Sequence, residues 1–347
     1  MRVEILLFAF VACGISAWLT WRFSRSGSRF YILDHPKERS LHTRPTPRTG
    51  GIAIVTSCFA AGLAAVLYFD YARPRMAWLA AASLLVAGTS FLDDRLQLPP
   101  ATRIVSHFIA AGVLMYGGLV LDTTTLPGVT WTLPAALAMV VTPLYIVWMI
   151  NLYNFMDGMD GFAGGMAVFG FGTFAALGVF AGHELFAVFN LIVVAAAAGF
   201  LLFNFPPARI FMGDTGSSTL GLLAAAFSLW GAEQGIFDFW MGILVFSPFI
   251  VDATVTLLRR LWQREKVWQA HKTHYYQRLV QAGWGHRKSV LIEYAIMLGC
   301  GITALLAVHA SAEVQVAMLA MWALVYLIFF FWVARFAARR HSSSTAT

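Results

Sequence analysis

The chain has 347 residues, 59% of them apolar and 12% charged, whereas a soluble domain runs nearer half apolar and about a quarter charged. That balance excludes a soluble globular enzyme. The 29 glycines and 12 prolines show no period and the three cysteines, Cys13, Cys58 and Cys300, lie inside apolar stretches, so collagen-like, low-complexity and disulfide-scaffold classes are excluded too, and the cysteines read as small core residues.

A membrane-spanning helix needs roughly 20 mostly apolar residues. In chain order such runs fall at about 3–21, 50–69, 77–92, 104–120, 132–151, 163–181, 185–203, 217–232, 238–257, 289–309 and 313–334. They predict an all-α polytopic bundle of about eleven transmembrane helices, or ten, built as a single domain over 1–334. The polar tail 335–347 is expected to be disordered.

Lysine and arginine set the orientation, because positively charged loops are retained on the cytoplasmic side. If the first span runs inward, the inner loops hold Arg22, Arg25, Arg29, Lys37, Arg39, Arg44 and Arg48, then Arg95, Arg103 and Arg209, then the basic run from Arg259 to Lys288, and finally Arg335, Arg339 and Arg340. Arg2, Arg73 and Arg75 remain outside. The N-terminus is therefore expected in the periplasm and the C-terminus in the cytoplasm. The net charge of +7 is a topology signal, and no nucleic-acid partner is expected. Trp21 to Arg29 is basic where a cleavage site would need small residues, so the first span reads as retained and not as a signal peptide.

The acidic residues carry more, because a carboxylate at membrane depth is costly and marks function by default. Glu4, Asp70, Asp122, Glu184, Glu233, Asp238 and Glu313 fall in outer loops or at outer span ends, as solvated charges. On the inner side, Asp93 and Asp94 end the third span in FLDDRLQLPP, Asp157 and Asp160 follow the fifth in NLYNFMDGMDGFAGG, and Asp214 sits between the seventh and eighth in FNFPPARIFMGDTGSS. Asp157 and Asp160 would share a helix face if that stretch is helical. Adjacent Asp93 and Asp94 would diverge by about a quarter-turn or more on a helix, so one can point into a site while the other supports it. Carboxylates converging on one surface repel unless a cation or raised pKa values relieve them. Short oxygen ligands suit Mg²⁺, with Mn²⁺ as a substitute, and Mg²⁺ fills most of its shell with water and phosphate oxygens. The pattern points to a phosphate-bearing substrate. The competing reading makes each Asp a cap or turn former, for which DGMDG and GDTGS are good chemistry; it accounts for single residues but not for a one-sided set.

An anionic substrate also needs positive partners. The first inner loop, LDHPKERSLHTRPTPRTGG, supplies Arg39, His42, Arg44 and Arg48 before Gly50-Gly51, a pair that would let backbone approach a ligand. Gly213 and Gly216 flank Asp214 where the eighth span begins, so free N–H groups there would hold a phosphate. The longest inner loop, about 258–288, interleaves Trp262, Trp268 and Trp284 with bases, as a helix lying in the headgroup zone does. His271 and His274 in it are three apart and read either as phosphate-contacting or proton-handling groups or as a solvated pair, and not as a zinc site, since neither HExxH nor a nearby Cys accompanies them. Asp252 is expected to pair with Arg259 or Arg260.

The ordered set PTPRTGG (45–51), FLDDR (91–95), NLYNFMDGMDG (151–161), FMGDTGS (211–217) and HKTH (271–274) resembles the polyprenyl-phosphate N-acetylhexosamine-1-phosphate transferases over nearly the whole chain. The resemblance implies a bacterial inner-membrane enzyme that transfers an N-acetyl-amino-sugar 1-phosphate from a UDP-sugar to undecaprenyl phosphate, with the active site on the cytoplasmic face and a homodimer on family grounds. It makes Asp214 the Mg²⁺ ligand, with Asp93 or Asp94 as a further candidate ligand, and lets that pair include the residue that deprotonates or positions the lipid phosphate. Asn154, Asp157, Asp160 and Phe211 match positions around the uridine and diphosphate, Phe211 as a stacking surface for uracil. Arg44 falls where relatives carry a basic residue against the nucleotide, and His271 and His274 match the histidine motif. HKTHYYQRL departs from the triple histidine of muramoyl-pentapeptide transferases and from the H-x-H-H of N-acetylglucosamine enzymes. It resembles a subgroup that starts O-antigen or capsule repeats, often with N-acetylfucosamine or N-acetylquinovosamine; transfer from UDP-N-acetylglucosamine is the alternative. A lipid or anion transporter would place its charges near the bilayer midplane and often show internal repeats, and neither feature is present.

Overall fold

The computed structural model describes residues 3–25, 32–36, 40–70, 74–266 and 271–344. Arg2, Arg29, Lys37, Arg39, Arg73 and Trp268, and the last three residues of the tail, lie outside them, and of Arg340 only the backbone is described. Long apolar runs become helices because a chain without water must satisfy its backbone internally. The first four are α1 (Val3–Phe23), α2 (Gly50–Tyr68), α3 (Pro74–Leu96) and α4 (Pro100–Tyr116). Then come α5 (Ala135–Phe155), α6 (Phe162–Phe180), α7 (Glu184–Asn204) and α8 (Asp214–Glu233). The last third holds α9 (Phe239–Val245), α10 (Ser247–Trp262), the short α11 (Tyr275–Leu279), α12 (Gly285–Ala307) and α13 (Ala312–Ser344). The chain is an all-α polytopic membrane protein. Among the described residues eight helices are long and apolar enough to cross a membrane, or nine if α9 and α10, bent by 79°, form one span.

Every predicted span coincides with a helix or with that bent pair, but two helices fall short of the apolar length a span needs. One is α4, with 17 residues. The other is α8, which opens on Asp214-Thr215-Gly216-Ser217-Ser218-Thr219 and ends on Glu233. The reason for its polarity is its position: every residue from Thr215 to Gly231 is buried, and α2, α3, α5, α6 and α7 pack around it. A helix solvated by protein on all sides needs no lipid-compatible surface. Phe227 of α8 interlocks edge to face with a group formed by Phe171, Phe174, Phe186 and Phe246, with centroids 5.5 to 6.5 Å apart.

At its first turn α8 meets α2 backbone to backbone. A Cβ on Gly51 would lie 2.2 Å from Gly216 N, and one on Gly216 would lie 2.6 Å from Gly51 Cα. Gly50 N–H donates to Phe211 O at 2.9 Å and Gly51 N–H to Met212 O at 2.7 Å. The glycine pair therefore admits the protein's own 211–212 backbone, not the ligand backbone contact that its sequence suggests. Strands β1 (Leu33–Asp34) and β2 (Thr46–Pro47) pair antiparallel within the same inner loop. On the predicted outer side, β3 (Thr123–Leu126) and β4 (Val129–Thr132) form a hairpin that turns at Pro127-Gly128, where Gly128 takes a φ of 78°.

The basic loop 258–288 is not one interfacial helix. Helix α10 stops at Trp262, α11 spans five residues, and a π turn at 280–284 with Gly283 at φ 94° precedes α12. Trp262 is exposed, while Trp284 packs on Trp332 at 5.1 Å and on Phe336 at 5.8 Å, which fastens this loop to α13.

Candidate active site

The N-terminus of α8 organises the carboxylates. A helix start carries unpaired N–H groups and a partial positive charge, so anions gather there. Asp94, on the last turn of α3, accepts from Asp214 N–H at 3.3 Å, from Thr215 N–H at 3.1 Å and from the Thr215 hydroxyl at 2.9 Å. Gly213 N–H donates to the Asp157 carboxylate. These N–H groups were expected to be free for a phosphate; two aspartates of the chain hold them instead. Arg48 braces the arrangement, with its guanidinium bonded to the Asp94 carbonyl and Nε 3.7 Å from Asp94 Oδ1.

Asp93 takes a different place. Its Oδ1 accepts from Leu98 N–H at 2.7 Å and its Oδ2 lies 3.1 Å from Arg103 Nη1. Arg103, on the first turn of α4, also reaches Asp214 Oδ2 at 3.7 Å, and the Asp93 and Asp214 carboxyl groups lie within hydrogen-bond reach of each other. Asp93 and Asp94 are buried, whereas the Asp214 side chain is 31% exposed. The donors are all hard oxygens. Among the described residues no three acid, His or Cys groups form a ready-made cage, and the set fits a cation such as Mg²⁺ that takes one or two carboxylates and leaves the remaining positions to water and phosphate.

The DGMDG loop closes the second side. Asn154 Nδ2 donates to the Ser217 hydroxyl at 3.0 Å, which passes the bond to Gly213 O at 3.1 Å. Burial, then the Asp214 and Asp94 charges, push the Asp157 carboxyl well above the ordinary carboxylate range. Asp160 does not share its face with Asp157 on a helix, since this stretch is a turn. Its Oδ2 accepts from Ala208 N–H at 3.0 Å and its Oδ1 lies 3.0 Å from His286 Nδ1. Phe211 is half-buried, its ring 4.9 Å from that of His42. Arg44 is exposed on the loop between β1 and β2.

The histidine motif is tied to Asp252 and not to the acidic centre directly. Asp252, buried on α10, lies 3.3 Å from His274 Nδ1 and accepts from Tyr275 N–H at 3.0 Å, Tyr276 N–H at 3.1 Å and the Thr256 hydroxyl at 3.0 Å. The expected ion pair with Arg259 or Arg260 is replaced by this capping role, and Arg260 bonds Glu265 at 2.7 Å. His271 sits 4.8 Å from the His274 ring; burial, then the His274 and Arg260 charges, lower it to about 4. Tyr276 Oη donates to Phe155 O at 3.3 Å, which links α11 to the end of α5 beside the DGMDG loop.

Residues 76–232 match glycosyl transferase family 4. A probable undecaprenyl-phosphate N-acetylglucosaminyl 1-phosphate transferase of Bacillus subtilis is 31% identical over 86% of this chain and 80% of its own length. The chain belongs to the polyprenyl-phosphate N-acetylhexosamine-1-phosphate transferases. Decaprenyl-phosphate N-acetylglucosaminephosphotransferase of Mycobacterium tuberculosis is 32% identical over 84% of the chain and 79% of its own length. Phospho-N-acetylmuramoyl-pentapeptide-transferase of Shouchella clausii is 29% identical over 71% and 78%.

Several site residues of this transferase escape a reading by motif. In the sequence Arg103 counts only toward orientation and Arg48 is one of several bases offered to an anionic substrate, yet both stand at helix N-termini, where the dipole disfavours a cation. A base in that place signals acids nearby, and each of the two meets one. Thr215 and His286 carried no comparable sign.

Proposed function

We propose that the protein transfers an N-acetyl-amino-sugar 1-phosphate from a UDP-sugar to undecaprenyl phosphate, giving undecaprenyl-diphosphate-sugar and UMP. The observation that carries this reading is the gathering of Asp93, Asp94, Asp157 and Asp214 with Arg48 and Arg103 around one helix start. The relatives' stated activities on undecaprenyl and decaprenyl phosphate support it. An oxygen of the lipid phosphate attacks the β-phosphorus of the UDP-sugar; the bond from that phosphorus to the bridging oxygen breaks, and its electron pair leaves with UMP. Mg²⁺ held by Asp214 supplies charge neutralisation to the diphosphate.

In this reading Asp93 is the carboxylate that receives the lipid phosphate's proton or orients that phosphate, because its Oδ2 faces Arg103 and Asp214. Asp94 is a positioning residue, since its oxygens are spent on α8 and Arg48. Arg103 passes from the two aspartates to the incoming phosphates. Asn154, Asp157, Asp160, Phe211 and Arg44 line the nucleotide side, and His271 and His274 the far side. Direct displacement is favoured over an aspartyl-phosphate, since an anionic phosphate can attack once positioned. In this reading the site faces the cytoplasm of a bacterial inner membrane, which the bundle crosses about eleven times, or ten, with α4 and α8 counted beside the more apolar spans.

The departure of HKTHYYQRL from the H-x-H-H run favours a 6-deoxy amino sugar, N-acetylfucosamine or N-acetylquinovosamine, at the start of an O-antigen or other surface polysaccharide. UDP-N-acetylglucosamine is the alternative. The test is turnover by purified protein with undecaprenyl phosphate and Mg²⁺ against a panel of UDP-N-acetyl sugars, scoring UMP and lipid-linked product. Selective use of a 6-deoxy sugar supports the full reading, and preference for N-acetylglucosamine overturns the sugar assignment alone. No turnover beside an active control enzyme overturns the transferase reaction and reopens transport.

A further inference from the structure

Three loops at the site end of the bundle meet on one imidazole to which the transfer reaction assigns no role. His286 opens α12, and its side chain is 19% exposed. Its Nδ1 lies 3.0 Å from Asp160 Oδ1 and 3.2 Å from the Asp160 backbone nitrogen, and the ring also hydrogen-bonds the backbone of Leu41. Asp160 extends the link, because its other oxygen holds Ala208 N–H at 3.0 Å. Leu41 precedes His42, whose ring covers Phe211 at 4.9 Å. The first inner loop, the DGMDG loop and the 205–213 loop thus share a single junction at the start of α12.

With a proton on Nδ1 the ring donates to the Asp160 carboxylate; burial disfavours the charged imidazole, but the Asp160 carboxylate outweighs it and holds the ring above the usual histidine range. The contacts around it are also local: Phe211 N–H donates to Pro47 O at 2.7 Å, so the loop that His286 anchors at Leu41 is the same one that supports Phe211 at Pro47.

We propose that His286 is a positioning residue for the nucleotide-sugar, fixing the Leu41–His42 segment against Asp160 and so setting the wall that His42 and Phe211 present to the base. The proposal rests on the UDP-sugar reading of the site. In this role His286 acts through Asp160, Leu41 and His42 and not on the reacting phosphates, so its loss weakens binding equally in ground and transition states. Such a loss raises KM and spares kcat.

The experiment measures kcat and both KM values for wild type, His286→Ala, His286→Asn, His42→Ala and the double variant H42A/H286A in detergent. H286A should raise KM for the UDP-sugar about tenfold, the worth of one charge-assisted hydrogen bond, with kcat and the KM for lipid phosphate within about twofold. Asn places a donor near the Nδ1 position and should recover part of the loss. If His286 acts through His42, the double variant is no worse than H286A, because the two share one path. An unchanged KM in H286A, a fall in kcat at constant KM, or full additivity with H42A overturns the inference while wild-type turnover leaves the parent reading standing. Should H286A fail to fold, H286N and H42A carry the same comparison. Wild-type protein that turns over no UDP-sugar overturns the parent reading and this inference together.

Discussion

At the scale of single residues, the site separates aspartates that look alike in sequence. Asp214 is the exposed member, so Asp214→Asn should lower the rate by about 10²- to 10³-fold, as loss of a charge that stabilises a phosphoryl-transfer site does, and should flatten the dependence of rate on Mg²⁺. Asp93→Asn should abolish turnover while UDP-sugar binding, read by isothermal titration, persists. A near-normal rate in that variant would sink the assignment of Asp93. Asp94→Asn differs in kind: it weakens an anion at a helix N-terminus, a change of about 1–2 kcal/mol, so the melting temperature should fall along with the rate. His271 supplies a pH signature. Its folded form is held neutral, lowered from 6.5 to about 4; the stability this contributes is fully present above pH 6.5 and is lost as pH falls through about 4. Melting temperature should drop across that window in wild type, and the drop should shrink in His271→Gln.

Among the elements, α8 explains both what the sequence disclosed and what it hid. The apolar runs announced the helices because lipid demands them, and the one-sided Asp set announced a site at their ends. Hidden was the use of the α8 N-terminus, because GDTGS has the same composition whether its N–H groups meet a phosphate or Asp94. Only the third dimension brings the end of α3 to that helix start. The same limit applies to Gly50-Gly51, where sequence shows freedom to approach but not what approaches, and to Asp252, where a nearby arginine in sequence outweighed a histidine loop 22 residues on. The α2–α8 contact is correspondingly intolerant. Gly51→Ala would force a methyl into the Gly216 backbone, costing about 1–3 kcal/mol or more where neighbours cannot shift, and because α8 carries Asp214, activity should fall with stability. Gly88, inside α3 with open space around its Cβ position, is the control: Gly88→Ala should leave turnover unchanged and hold or slightly raise the melting temperature, because alanine suits a helix interior better than glycine.

For the whole molecule, the placement of every site residue at one end of the bundle and of the β3–β4 hairpin at the other makes orientation a functional statement. The proposed orientation, drawn from the distribution of bases, turns the site toward the cytoplasm, where soluble UDP-sugars would reach it. A single cysteine at Thr124 in a variant lacking Cys13, Cys58 and Cys300 should then react with an impermeant thiol reagent added outside intact cells, and one at Lys272 should not; the reverse pattern would invert the bundle. Orientation and chemistry meet in the energetics of the reaction. One phosphoanhydride is broken and another is made, and the acceptor is a phosphate already anionic at the membrane surface, so no other energy source enters and the equilibrium lies near balance. Labelled UMP should therefore exchange into UDP-sugar when enzyme, Mg²⁺ and lipid-diphosphate-sugar are present, and should not when the lipid product is left out. Exchange without the lipid product would indicate an enzyme-bound sugar phosphate and so displace direct attack. Release of UMP without any exchange, even at high enzyme, would mean that water and not the lipid is the acceptor.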